Sequence, residues 1–439
     1  MQKLGLKKLF HNSAGTLVRQ LGAGVLQLLT VIAIARVLGP AGNGQFAIAL
    51  LLPTLLYSFL EMGMPTANAH FISSEQVSVR TAFDTSLRWS TILIPAGLAI
   101  GILSVWLAGD QWFPGVPAST LWLALTIYPV LLLQTFIASI FQGLQDFKAY
   151  NWVLLLQPAV TLALSLGIIA VGMGTATALI GAYLLGAVVT LIVSYKTLRR
   201  YFSQRRTERG AVRAYSRQIT HYALKSHISI ALAFFNYRVD VYLLNLLGNT
   251  AETGVYVIAT QMVEKLWLLS AAVSVVMLPL LSQLTAEEDK RRRITPLLYI
   301  WVFLLTGVAG VATGLIAGPL IALLFGAGYE SAATIIRLLL PGIVAWSGAR
   351  VLAQDIVARG KPELNIYMNG GVLLINVIGN MILIPNYGGN GAAIATTVAY
   401  CLFAVQMLFF YSRIARTRWK PAIIDSLKFS QQKLEALLR

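Results

Sequence analysis

The sequence has little charge, one cysteine and few histidines. Only 12% of its 439 residues are charged, whereas a typical soluble domain has about 25%. A single cysteine excludes a disulfide framework, and the four histidines show no spacing typical of a metal site. With 57% hydrophobic residues, the composition indicates a polytopic membrane protein.

Acidic residues are also scarce, with 17 Asp and Glu against 34 Lys and Arg. A net charge of +17 is common among nucleic-acid-binding proteins. The basic residues lie in short segments between apolar stretches, however, and this distribution favours membrane topology over nucleic-acid binding. No Walker A sequence is present, which disfavours ATP-driven transport.

Long apolar windows, each close to the roughly 20 residues that span a bilayer, predict an all-α fold with about twelve transmembrane helices. The stretch 318–330 is either a loop or a short re-entrant piece. The predicted spans are 12–36, 44–64, 87–108, 119–145, 150–171, 176–195, 222–247, 254–283, 295–317, 331–357, 365–384 and 392–412.

The chain contains an internal repeat. "VLGPAGNGQFAIAL" (37–50) resembles "LLGNTAETGVYVIAT" (246–260), so that Gly39 aligns with Gly248 and Gly44 with Gly254. The offset covers six helices, which predicts two parallel six-helix repeats, an architecture of alternating-access transporters. The predicted parts are an N-terminal half 1–195, a basic linker 196–220, a C-terminal half 221–412 and a basic tail 413–439.

Three stretches carry a resemblance to a known family. They are "ARVLGPAGNGQFAIAL", "FQGLQDFKAYN" and "FNYRVDVYLLNLLGNTAETGVYVIATQMVEKLWLL". They resemble Wzx-type polysaccharide flippases of the multidrug/oligosaccharidyl-lipid/polysaccharide (MOP) exporter superfamily over residues 5–415. The resemblance implies a MOP/MATE-like fold and transport of undecaprenyl-diphosphate-linked oligosaccharide from the inner to the outer leaflet. It implies no enzymatic activity. The implied partners are the lipid bilayer, the lipid-linked oligosaccharide and a polysaccharide polymerase.

Several charged residues fall inside predicted spans. Arg238 lies ten residues before Gly248 and Glu264 ten residues after Gly254, which places both about 15 Å below the turn, near the middle of a ~30 Å core. Asp240 and Lys265 lie within a helical turn of that depth. Transporter substrates bind near this depth, so these four residues are candidates for the site.

The cations suit a diphosphate, because a guanidinium donates bidentate hydrogen bonds and keeps its charge. The buried carboxylates suit coupling to H⁺ or Na⁺, and no other cofactor or metal is expected. The predicted substrate-binding residues are Arg19, Arg238, Lys265, Arg337 and Arg350, and the predicted ion-coupling residues are Asp240 and Glu264.

Alternatives remain for individual residues. Arg238 with Glu264, or Asp240 with Lys265, could be a structural ion pair. Arg19 could snorkel to the membrane edge, and Arg350 could pair locally with Asp355. The basic linker suits an anionic inner leaflet, although it could instead gather an anionic substrate.

Alternatives remain for the function as well. A cation-coupled multidrug exporter on the same fold predicts an acidic cavity. A membrane polysaccharide polymerase or ligase predicts catalytic residues in a sizeable loop. A scramblase or channel is a further possibility. The excess of cations over acids among the buried candidates favours the flippase.

Loop charges predict the orientation. Lys and Arg occur only in alternate loops, so the positive-inside rule places both termini in the cytoplasm. The resemblance implies that the membrane is a bacterial plasma membrane. A topology reporter fused after Arg209 should therefore be cytoplasmic, and one fused within 385–391 external. Reversed reporters, or an odd number of crossings between them, would rule out the twelve-span topology.

Overall fold

A computed structural model describes residues 2–202, 209–268, 270, 288–416 and 419, and within them the chain is helical without strands. A short 3₁₀ turn, Arg199–Tyr201, follows the seventh helix. The helices are α1 Gln2–Leu60, α2 Met64–Ser73, α3 Val79–Trp112, α4 Ala118–Leu125, α5 Ile127–Gly143, α6 Phe147–Ala170, α7 Ala176–Leu198, α8 Arg209–Leu247, α9 Thr250–Glu264, α10 Glu288–Phe325, α11 Ala332–Ala358 and α12 Pro362–Ala415.

The predicted spans correspond to these helices. Among the described residues, eight helical segments are long and apolar enough to cross a membrane. Two of them, in α1 and α12, bend at a glycine, so each covers two predicted spans. The span 222–247 lies on α8, and the span 254–283 begins on α9 and continues into residues outside those described. The fold class predicted from hydropathy is therefore confirmed.

Single glycine or proline residues cause three breaks in the helices, two in predicted loops and one inside the predicted span 119–145. Gly39, with φ +64°, turns α1 at one position, although a loop over 37–43 was expected. Gly388 does the same within α12. Helix α4 ends at Leu125 because the ring of Pro129 would clash with the carbonyl group four residues earlier. The re-entrant alternative for 318–330 is wrong, since α10 continues to Phe325.

The chain packs as two compact units. The first comprises Met1–Val257 and Leu324–Tyr329, and the second comprises Ile258–Leu323 and Glu330–Arg439. The two units are defined by the packing of the helices, whereas the predicted halves are defined by the sequence repeat. The boundary of the halves at 196–220 therefore stays a prediction.

A buried polar network fixes the start of α8 in the first unit. The Asn68 amide on α2 donates to the Ser86 hydroxyl on α3 at 3.1 Å and to the Ser139 hydroxyl on α5 at 3.2 Å. The Tyr215 hydroxyl on α8 donates to the side-chain oxygen of Asn68, Oδ1, at 3.0 Å. Since Asn68 is fully buried and uses both of its polar atoms, the network holds four helices without an unpaired amide group.

At one end of the first unit, the α1 bend meets the turn between α8 and α9. A Cβ atom on Gly44 would lie 1.8 Å from the Thr250 carbonyl oxygen, and one on Gly254 would lie 2.0 Å from the Pro40 carbonyl oxygen. The Asn43 amide donates to the Gly254 carbonyl at 3.0 Å. We call this contact of residues 40–44 with residues 250–254 the turn junction. Only glycine permits backbones to approach so closely.

The turn junction gives a stability prediction. Gly44→Ala should lower the free energy of unfolding by about 1–3 kcal/mol, because the new methyl group overpacks a site bounded by backbone. The melting temperature of the detergent-solubilised protein measures this. Gly370→Ala is the matched control, because a Cβ added there would have no atom within 4 Å and alanine favours helix. Equal melting temperatures for the two variants would contradict the tight contact.

Candidate functional site

Arg238 lies half-buried on α8 in the first unit, where α8 packs against the end of α1. The Phe59 and Phe235 rings meet edge to face with centroids 4.9 Å apart. The Tyr57 hydroxyl interacts electrostatically with both the Arg238 guanidinium and the Glu61 carboxyl. The structure thus brings one predicted substrate-binding residue near a hydroxyl group that also interacts with a carboxyl group.

Two further polar residues extend this group. Tyr183 on α7 interacts electrostatically with Tyr57 and hydrogen-bonds the Gln157 side chain on α6. We call Tyr57, Glu61, Gln157, Tyr183 and Arg238 the Tyr57 cluster. Sequence reasoning assigned no role to its members other than Arg238, because they come from four helices spread over more than 180 positions of the chain.

Glu61 is the acidic member of this cluster, and its side chain is buried. It follows the last residue of α1 and is 5% exposed. Within the described part of the chain, no side-chain hydrogen bond or ion pair to its carboxyl group is found. An ionised carboxyl group is costly in such a buried place, so Glu61 is the member of the cluster that most needs a proton or a cation.

Asp240 has a different environment, although it lies only two residues from Arg238. Its carboxylate accepts a 2.5 Å hydrogen bond from the Tyr256 hydroxyl and a 2.8 Å hydrogen bond from the Val241 amide. Asp240 is 2% exposed and Tyr256 is fully buried. The pair ties α8 to α9, so Asp240 has a structural hydrogen bond to a partner that the sequence did not predict.

Glu264 and Lys265 belong to the second unit, at the end of α9 and in the turn that follows it. Both are half-buried. The predicted pairs of Arg238 with Glu264 and of Asp240 with Lys265 join residues of different units, and they stay predictions.

The two arginines predicted on α11 also lie in the second unit. Arg337 is exposed, and its Nε donates to the Gly314 carbonyl of α10 at 3.1 Å. Arg350 is half-buried. Arg19 lies on α1, and its side chain is outside the described part of the structure. Substrate binding by these three residues stays a prediction.

The expected local pairing of Arg350 with Asp355 is replaced by other ion pairs. Arg291 on α10 approaches the buried Asp355 carboxylate at 2.5 Å, and Arg359 approaches it at 3.2 Å. Arg359 also pairs with Glu288 at 2.7 Å. Asp355 is thus neutralised by two arginines that the sequence places 64 positions before it and four after it.

These ion pairs shift the pKa values of their members outside the membrane spans. Burial alone would raise the pKa of Glu288, but its hydrogen bond and charge contacts with Arg359 and Arg292 bring that pKa below its usual value. Burial alone would lower the pKa of Arg359, and its hydrogen bond with Glu288 together with the charge of Asp355 raises it. Glu288 and Arg359 therefore remain ionised near neutral pH, and their ion pair holds α10 to α11.

Comparison with solved structures identifies the fold. The lipid II flippase MurJ in an inward closed conformation has a TM-score of 0.73 at 15% identity, covering 93% of this chain and 90% of MurJ. An inward-facing multidrug resistance MATE family transporter of the MOP superfamily has a TM-score of 0.68 at 18% identity, covering 91% and 98%. At these identities the similarity concerns the fold alone.

Two curated proteins resemble parts of the chain. The capsular polysaccharide biosynthesis protein CapF of Staphylococcus aureus is 29% identical over 151 residues, which are 34% of this chain and 38% of CapF. The probable low-salt glycan biosynthesis flippase Agl15 of Haloferax volcanii is 21% identical over 212 residues, which are 47% of this chain and 44% of Agl15. Each match thus spans less than half of the relative.

The family model described as "Polysaccharide biosynthesis protein" matches residues 9–285, well over half of the chain. That range contains nearly all of α1 and the whole of α2 to α9, including the Tyr57 cluster, Asp240 and the turn junction. The resemblance inferred from the three sequence stretches is thereby confirmed, and the chain belongs to the polysaccharide biosynthesis protein family.

Proposed function

We propose that the protein is a flippase that moves an undecaprenyl-diphosphate-linked oligosaccharide from the inner to the outer leaflet by alternating access. The family match over residues 9–285 carries this proposal. The name of Agl15 as a glycan biosynthesis flippase and the MurJ-like fold support it. The protein acts as a transporter in this proposal, and we assign it no catalytic residue.

Arg238 is the residue that we assign to the substrate diphosphate. It is half-buried toward the end of α8, in the predicted span 222–247, where a charge is costly. The Tyr57 hydroxyl beside it supplies a further donor for a phosphate or a sugar oxygen. Lys265, Arg337, Arg350 and Arg19 are proposed to contact the same anionic substrate at other stages of transport.

The setting that we propose is a bacterial plasma membrane with both termini in the cytoplasm. The basic loops support this orientation. This orientation puts the turn junction at the outer face of the membrane. A polysaccharide polymerase that receives the flipped lipid is the proposed partner.

The multidrug exporter alternative shares the fold, as the MATE neighbour shows. The Tyr57 cluster does not distinguish the two, because it holds one acid and one guanidinium. The family match favours the flippase over the drug exporter. Transport of a lipid-linked oligosaccharide, with organic cations as the competing substrate, decides between them.

Substitutions of Arg238 test the substrate role. Arg238→Ala should lower the flipping rate in proteoliposomes by about tenfold to a hundredfold, because a hydrogen bond to a charged group is worth about 1.5–3 kcal/mol. Arg238→Lys should be less impaired, since it keeps the charge and loses the planar fork. Arg199→Ala, at an exposed arginine of the same unit, is the control and should flip normally.

The double variant Arg238→Leu with Glu264→Leu separates transport from structure. If the two residues only form a structural pair, apolar replacements should restore a folded and active protein. We expect the double variant to be folded and inactive. Normal flipping by this variant would remove Arg238 from the transport mechanism.

Ion coupling through Asp240 or Glu264 is part of the proposal. Flipping should respond to an imposed H⁺ or Na⁺ gradient, and Asp240→Asn or Glu264→Gln should lose that response. Tyr256→Phe is the control for Asp240, because it removes the hydrogen bond and keeps the carboxyl group. If both carboxyl variants keep the full response, neither residue couples the ion.

A further inference from the structure

A cationic cavity lies in the first unit between α3 and the start of α8, away from the residues of the Tyr57 cluster. Its volume is about 320 Å³. Three arginines dominate the wall, and among the described residues no ion pair involves any of them. The lining residues are Arg88, Trp89, Ile92, Arg213, Ser216 and Arg217.

The helical spacing aims these cations at one place. Arg213 and Arg217 are four residues apart on α8, so they share a face, and Arg88 shares a face of α3 with Ile92. Arg80, two turns before Arg88, is neutralised by Asp84 at 3.0 Å. The cavity therefore combines guanidinium groups from two helices, while the nearest acid of α3 is engaged elsewhere.

The cavity wall is held in place before any ligand arrives. The Trp89 indole donates to the Ser216 hydroxyl at 2.9 Å, across the two helices. Tyr215, between the cationic positions of α8, is anchored in the buried Asn68 network. A site whose walls are fixed loses little conformational freedom when it binds.

The position of the cavity matches the surface of a membrane. Along α3 the polar first turns give way here to an apolar segment, and Ile92 is 63% exposed. Tryptophan is enriched at membrane interfaces, and basic pockets between membrane helices bind anionic headgroups. Arginine forks match the geometry of phosphate oxygens.

We propose that this cavity binds the phosphate headgroup of an anionic membrane phospholipid. The volume is near the lower end of the range for ligand pockets, roughly 300–1,000 Å³, which suits a headgroup better than an oligosaccharide. Among the described residues, the wall has no carboxylate or amide side chain, the groups that pair with sugar hydroxyls. The proposal rests on membrane insertion of α3 and not on the transported substrate.

Lipid retention tests the site. The full chain, purified in detergent, is mixed with phosphatidylglycerol or phosphatidylcholine, and bound lipid is counted by native mass spectrometry. We expect retention of phosphatidylglycerol, and at least about tenfold weaker retention in the triple variant Arg88→Gln, Arg213→Gln, Arg217→Gln. Equal retention of the two lipids by the unaltered protein would overturn the proposal.

The matched control removes three charges nearby without touching the cavity. Lys196→Gln, Arg199→Gln and Arg200→Gln are exposed positions of the same unit. This variant should keep phosphatidylglycerol, and an equal loss in both triple variants would mean general surface attraction and no site. If the cavity variant fails to fold, the single variants Arg213→Gln and Arg217→Gln are compared with Arg199→Gln. The quantity compared is the phosphatidylglycerol that each variant retains relative to the unaltered protein.

A further arm separates a lipid headgroup from a soluble anion. Inorganic phosphate and pyrophosphate are added at the same concentration as the lipid. We expect neither to displace phosphatidylglycerol, because the lipid tails also contact the apolar surface around Ile92. Displacement by either ion would assign the cavity to soluble phosphates and overturn the lipid proposal. The assay measures no transport, so its outcome is independent of the flippase proposal.

Discussion

The turn junction is the contact on which the first unit depends. Gly44 meets the backbone of Thr250, and Gly254 meets the backbone of Pro40. These contacts are reciprocal, since the repeat aligns Gly44 with Gly254. Reciprocal contact of equivalent residues is what a two-fold relation between two elements produces. A side chain at either glycine would separate the two turns, and with them the helices that carry Arg238 and Tyr57.

Side chains near other turns also donate hydrogen bonds to backbone carbonyl groups at the same end of the first unit. The Gln45 amide donates to the Gly115 carbonyl at 2.9 Å, and the Tyr329 hydroxyl donates to the Ala35 carbonyl at 3.1 Å. The Asn245 amide donates to the Pro114 carbonyl at 3.1 Å. Because bent turns expose carbonyl groups that the helices no longer satisfy, these side chains both join the turns and satisfy the backbone.

The sequence predicts the features of this protein that depend on local composition. Hydropathy locates the spans, and the two glycine-rich turns mark the bends at Gly39 and Gly248. The distance of Arg238 and Asp240 from the turn predicts their depth in the membrane, because distance along a helix converts directly to depth. All of these inferences use residues close together in the chain or related by the repeat.

Partners from distant helices could not be predicted in this way. The Asp240 carboxylate accepts a hydrogen bond from the Tyr256 hydroxyl, 16 residues away, and the sequence did not predict this bond. Asp355 and Arg291 are 64 residues apart, and Trp89 and Ser216 are 127 apart. Charge and periodicity show that a residue needs a partner, whereas the packing of helices decides which one it finds.

The excess of positive charge, which the sequence explains by topology alone, therefore has several distinct physical uses. Arg291 and Arg359 neutralise a buried carboxylate and hold two helices together. Arg80 pairs with Asp84 and lies over the Phe202 ring. Arg88, Arg213 and Arg217 face a shared cavity instead. Arginines of the first two kinds have their charge balanced within the protein. An anion from outside the chain therefore gains most binding free energy from arginines of the third kind.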